Sequence, residues 1–86
     1  MEKKEYIRQL GIFLVSTKTS MNGEALATLL NWNNFKTSDG LKYEGGRGTY
    51  TLISATYDWL VKNGNPVDAD KVAIAFKKPD GSYAYK

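Results

Sequence analysis

Eighty-six residues, 42% of them hydrophobic and 13% aromatic, suffice for a single domain around one modest core, and this apolar content excludes the composition of a disordered chain. The sequence has neither cysteine nor histidine, which excludes disulfide staples, thiolate nucleophiles and the usual ligands of zinc, copper and iron, and removes the commonest general base near neutral pH. The net charge of +3 lies wholly in residues 71–86, where Lys71, Lys77, Lys78 and Lys86 face Asp80 alone.

The opening MEKKEYIRQLGIFLVS is basic and then apolar. Its uninterrupted apolar run, Ile12 to Val15, is too short for the hydrophobic region of a secretory signal or for a membrane span, so the expectation is a soluble cytoplasmic protein. Tyr6, Ile7, Leu10, Phe13 and Leu14 recur at three- and four-residue intervals and form one buried stripe on a helix from Glu2 to Ser16. Gly11 weakens that helix by about 1 kcal/mol relative to Ala. Ile12 and Val15 lie off the stripe, as a second buried side or as some strand character.

A second helix is expected from about Gly23 to Asn33. Asn22 suits the N-cap, Glu24 suits the first turn, and Met21 and Leu26 occupy the two positions of a hydrophobic staple. Ala25, Leu26, Leu29 and Leu30, with Trp32 or Phe35, supply its buried side. The following KTSDGLKYEGGRG has no period and reads as a long loop, with a turn at Ser38-Asp39-Gly40 and a brief extended piece at Leu41 to Tyr43.

Helical spacing returns from Thr49 to Lys62. Leu52, Ile53, Ala55, Thr56, Trp59 and Leu60 make a buried face, and Thr51, Ser54, Asp58 and Lys62 a polar one. Asn63-Gly64 supplies a C-cap and Pro66 prevents continuation. The tail DKVAIAFKKPDGSYAYK reads as a β-hairpin around Pro79-Asp80-Gly81, a type I turn with Gly81 in the left-handed position of a bulge. With Lys78 facing Ser82, the residues Val72, Ile74, Phe76 and Ala84 share the inner face; a slip by one residue would put Tyr83 and Tyr85 there instead.

No nucleotide fingerprint assembles around Gly46-Arg47-Gly48: the third glycine is replaced by Thr51, and no Gly-Lys-Ser/Thr is present. Gly45, Gly46 and Gly48 either permit a tight bend or bring helix amides, beside Arg47, to a single backbone phosphate. Asp68-Ala69-Asp70 lacks the third oxygen residue, the glycine and the distal glutamate of a calcium loop, and reads as turn or capping carboxylates. The serines have no histidine to activate them. The expectation is a binding domain rather than an enzyme, without metal or other cofactor and without a membrane partner.

The order helix, helix, long loop, helix, basic hairpin resembles a winged-helix domain. The expected fold is therefore α+β: a three-helix bundle with a C-terminal β-hairpin, forming one domain over residues 1–86. The resemblance implies DNA binding, with the third helix in the major groove and the hairpin on the backbone. Carried over by position, the contacts would come from Arg47 and Gly48 at the glycine bend, from Thr51, Ser54 and Lys62 on the third helix, and from Lys77, Lys78, Tyr83 and Tyr85 on the hairpin. The helical face lacks Arg, Asn and Gln, the side chains best matched to purine edges, and carries Asp58. Winged-helix domains also serve as protein-interaction modules, so a protein partner with no nucleic-acid contact is the alternative.

Overall fold

The computed structural model of the chain describes residues 2–44, 47–78 and 80–83. Among these the elements run α1 (Lys3–Ser16), β1 (Met21–Asn22), α2 (Gly23–Trp32), α3 (Arg47–Lys62), α4 (Pro66–Ala75) and β2 (Phe76–Lys77). The coarse expectation of a small, mostly helical α+β domain is met, but the bundle has four helices rather than three among the described residues.

The fourth helix replaces most of the first strand of the expected hairpin, and the cause lies in two competing periods. Val72, Ile74 and Phe76 alternate as a strand would, whereas Ala69, Val72, Ala75 and Phe76 recur at helical spacing. Pro66 stands in the first turn, where its missing N–H is no loss, and Asp68 lies in the same turn, where the helix dipole favours a carboxylate. Alanine has the highest helix propensity of any residue. The helical set wins: Ala69, Val72, Ala75 and Phe76 are buried, while Ile74 is exposed. Pro66 thus ends α3 and also begins α4.

The core is drawn from every helix: Ile7 and Leu14 of α1, Leu26 and Leu30 of α2, Ile53 and Leu60 of α3, and Val72 of α4, with Phe76 of β2 fully enclosed. Burying a side chain of this size contributes about 1.5–3 kcal/mol. Helix α4 is the shared neighbour, packing against both α1 and α3. Gly11 lies at a close approach of the two helices α1 and α4. A Cβ there would stand 3.1 Å from Val72 Cγ2 and 3.3 Å from Val72 Cα, so the glycine admits the α4 backbone. Arg8 completes the seam by donating from Nε to Asp68 Oδ2 at 2.8 Å, and from Nη1 to Glu5 Oε2 at 2.7 Å. These bonds hold the Arg8 guanidinium above its ordinary pKa, Asp68 contributing most. Glu5 lies below the usual carboxylate value because Gln9 and then Arg8 donate to it.

The glycine also turns α1. Its buried line runs Ile7, Gly11, Leu14, which carries Phe13, about 100° round the helix from Leu14, out to 60% exposure. The expected burial of Phe13 is therefore corrected, and of the alternatives Trp32 and Phe35 it is Phe35 that packs against the core, Trp32 being 80% exposed. On α2 the buried set is Gly23, Leu26, Ala27 and Leu30, with Asn22 capping through its side chain, which accepts from Ala25 N–H at 2.8 Å.

Three helices end in one geometry. Thr19 N–H donates to Leu14 O, Phe35 N–H to Leu30 O and Asn65 N–H to Leu60 O, at 2.9, 2.9 and 2.8 Å. Each closure places the preceding residue in the left-handed region: Lys18 at φ 58°, Asn34 at φ 61° and Gly64 at φ 77°. Strands β1 and β2 pair in parallel, Met21 opposite Phe76 and Asn22 opposite Lys77.

Of the expected hairpin, the tight turn is present. Gly81 N–H donates to Lys78 O at 2.9 Å, Lys78 N–H donates to Ser82 O at 2.8 Å, and Lys77 bridges Tyr83 antiparallel, which is the register that sets Lys78 against Ser82. Pro79, Ala84, Tyr85 and Lys86 lie outside the described residues. No helix among the described residues is long and apolar enough to cross a membrane.

Two predictions test this packing. Gly11→Leu should lower stability by about 1–3 kcal/mol through overpacking at Val72, read as a lower urea midpoint; an unchanged midpoint would remove the glycine from its structural role. Lys18→Gly should raise stability by about 0.5–1 kcal/mol, because glycine adopts the left-handed conformation without the Cβ clash that lysine carries. The same denaturation series measures it.

Candidate nucleic-acid interface

Helix α3 presents its buried stripe of Thr49, Leu52, Ile53, Thr56 and Leu60 to the core and leaves Thr51, Asp58 and Lys62 exposed, with Ser54 half-buried. The polar face anticipated for this helix is the face that meets solvent. Arg47 opens the helix, its side chain lying outside the described residues together with Gly45 and Gly46. Gly48 follows in the first turn, where a Cβ would sit 3.4 Å from the Tyr43 ring.

That ring belongs to a loop that is long but braced. Asn31 of α2 holds the backbone of Tyr43 from both sides: its Nδ2 donates to Tyr43 O at 2.8 Å, and its Oδ1 accepts from Tyr43 N–H at 2.8 Å. Lys3 of α1 donates to the Tyr43 hydroxyl at 2.7 Å and to the carbonyl of Lys36. Between these anchors Gly40 N–H donates to Thr37 O at 2.9 Å, and Thr37 N–H to Leu41 O at 2.8 Å. This closes the turn expected at Ser38-Asp39-Gly40. The braced loop forms one wall of a groove of about 700 Å3 whose other wall includes Gly48 and Thr51. Its charges are mixed, Lys3 and Lys42 against Asp39 and Glu44.

The two hairpin lysines part company. Lys78 carries its ammonium to 5.8 Å from the centroid of the Tyr50 ring, on the amino-terminal half of α3. Tyr50 stands three residues after Arg47, so the turn and the start of α3 are neighbours. Lys77, one residue earlier on β2, sends its ammonium to 5.4 Å from the Tyr83 ring. It lines a different cleft, with Lys18 and Ser20. Lys77 ends the strand and Lys78 begins the turn, so the two lysines part where one gives way to the other.

The proposed site residues therefore fall into three places. Arg47, Gly48, Thr51 and Lys78 gather at the amino end of α3, with Ser54 one turn further along. Lys62 lies at the other end of that helix, about 22 Å from Arg47 at 1.5 Å per residue, where it shares a depression with Lys4 and Asp58. Lys77 and Tyr83 form the third place, and Tyr85 lies outside the described residues. Sequence reasoning missed Tyr50 as the partner of Lys78, and Lys18 as the neighbour of Lys77. Tyr50 carried a signal in its position at the boundary of the apolar face; Lys18, in the polar link TKTS, carried none.

Asp68, read as a turn or capping carboxylate, accepts from Arg8. The described residues contain no group of three or more acidic side chains able to hold a metal ion. No protein-family model, curated protein or solved structure matches the chain.

The Asn31 clamp yields a prediction. Asn31→Ala leaves the N–H and C=O of a buried residue without partners, at a cost of about 1–3 kcal/mol. The Tyr43 amide should exchange with solvent markedly faster in this variant; unchanged exchange at Tyr43 would show that the loop is held by other means.

Proposed function

We propose that this domain is a non-catalytic nucleic-acid-binding module, with DNA as its ligand, working in a winged-helix-like manner. In this reading the amino end of α3 meets the phosphate backbone and the turn from Lys78 to Ser82 serves as a small wing. The observation that carries it is the position of Lys78 over Tyr50, which brings a cation of the turn beside the helix that Arg47 begins. The dipole of α3 adds partial positive charge at the same spot. Asp58 disfavours phosphate further along the helix, and Asp39 and Glu44 would repel it in the groove beside Gly48 and Thr51, which leaves the side of the helix start that Lys78 occupies. Contact with few phosphates through few cations implies a modest, salt-sensitive affinity.

A second reading, a protein-interaction module without nucleic-acid contact, is favoured by one observation: Phe13, Trp32, Leu41 and Val67 are large apolar side chains left exposed. Trp is among the residues enriched where proteins bind one another.

Fluorescence anisotropy with labelled duplex and single-stranded DNA separates the two. If about three phosphates are neutralised, affinity should fall roughly 40-fold between 50 and 200 mM salt. Lys78→Glu should weaken binding further at any fixed salt, and Lys77→Glu together with Lys78→Glu should abolish it. Absence of binding to either DNA form at low salt overturns the first reading and leaves the second.

A further inference from the structure

The end of α1, the approach to β1 and the turn after β2 border an open cleft of about 410 Å3. Lys18, Thr19, Ser20, Lys77 and Tyr83 line it, together with the apolar Val15 and Ile74. Among the described residues that line it the charge is of one sign, two ammonium groups and no carboxylate. Among the described residues the ion pairs are those of Arg8 with Glu5 and Asp68, so neither Lys18 nor Lys77 has an acidic partner there. The Thr19 hydroxyl is engaged with that of Thr17 at 2.7 Å. Ser20 and Tyr83 line the same cleft, and their hydroxyls make no hydrogen bond to any described residue.

A second observation is independent of the cleft's shape. Of the three helix ends closed in the left-handed conformation, two use residues suited to it, Asn34 and Gly64, and one uses Lys18 at φ 58°. A cation near the end of α1 is favoured by the helix dipole, and the last turn of α1 holds no other basic residue. That accounts for a positive charge but not for its seat, because a lysine one turn earlier would serve the dipole without backbone strain. Strain retained at one position directs attention to what its side chain does.

We propose that this cleft binds a phosphate group, held between the Lys18 and Lys77 ammonium groups with hydroxyl donation from Ser20 and Tyr83. Phosphate oxygens accept hydrogen bonds at every vertex, and lysine serves them as a compact point charge on a flexible stem. The site is separate from the amino end of α3 and does not rest on the reading given above. The group belongs either to a nucleic-acid backbone or to a small phosphate ligand, and the chemistry of recognition is the same for both.

Amide shifts of the 15N-labelled domain test this, with inorganic phosphate exchanged for chloride at constant ionic strength and, separately, with a short oligothymidylate. Saturable shifts are expected at Thr19, Ser20, Lys77 and Tyr83, weakened roughly tenfold or more in Lys77→Gln and in Lys18→Gly. The latter variant should unfold at higher denaturant than the wild type, so loss of binding in it cannot be loss of fold. A response to the oligonucleotide without one to inorganic phosphate assigns a backbone phosphodiester; a response to inorganic phosphate alone assigns a small ligand. No saturable shift with either probe, or an undiminished response in Lys18→Gly, overturns the proposal. Shifts at Thr51 and Ser54 report the α3 face separately in the same spectra.

Discussion

The contact between Gly11 and Val72 is the constraint from which the rest of the architecture follows. Two helices can cross this closely only where one lacks a side chain, and the α4 backbone lies 3.3 Å from where a Gly11 Cβ would be. The crossing fixes the rotation of α1 and so decides that Ile7 and Leu14 are buried while Phe13 is not. It also brings Arg8 to Asp68. From its far end α4 delivers Phe76 into the core and into register with Met21, and this sets where Lys77 and Lys78 begin. The charged end of the molecule is placed by an apolar contact near its middle.

Around that seam the chain stops and turns by repetition. The left-handed closure recurs at the ends of α1, α2 and α3, and the two Asp-Gly turns, Thr37 to Leu41 and Lys78 to Ser82, share the same pair of backbone bonds. In the second turn Asp80 Oδ1 accepts from both the amide and the hydroxyl of Ser82, which holds its carboxyl below the usual aspartate value. These closures satisfy backbone groups locally. The connection between α2 and α3 can then be long without being loose, since Asn31 and Lys3 grip it at Tyr43.

Local chemistry was legible in the sequence wherever one residue type has one favoured use. Asn22 at a helix start, Asn63-Gly64 at a helix end and both Asp-Gly turns took the roles their side chains suit, and the stripe of α3 matched its spacing from Leu52 to Leu60. Legibility failed where two patterns overlapped. Residues 69–76 satisfy a helix through their alanines and a strand through Val72, Ile74 and Phe76, and the start signals at Pro66 and Asp68 together with the space beside Gly11 favour the first. Gly11 itself looked like a weakness in α1, because its benefit lies in a residue 61 positions away. Trp32 is aromatic and sits near an apolar face, yet packing on α2 is completed by Ala27 instead. For the candidate site, the cations could be named from composition, but not their grouping. That grouping follows from the α4 helix, which shortens the expected ribbon to its turn.

Shortening the ribbon changes what its lysines can do. On a long hairpin Lys77 and Lys78 would belong to one projecting surface. With the strand only two residues long and held against Met21 and Asn22, Lys78 already begins the turn, and one ammonium lies beside α3 while the other lies in the cleft at the end of α1. A pair of strands this short has little stability of its own and persists because Phe76 is buried beneath it. An anion held by either lysine would therefore bind the ordered form of the same few residues and stabilise it by mass action. The two lysines are in this way joined through one buried phenylalanine.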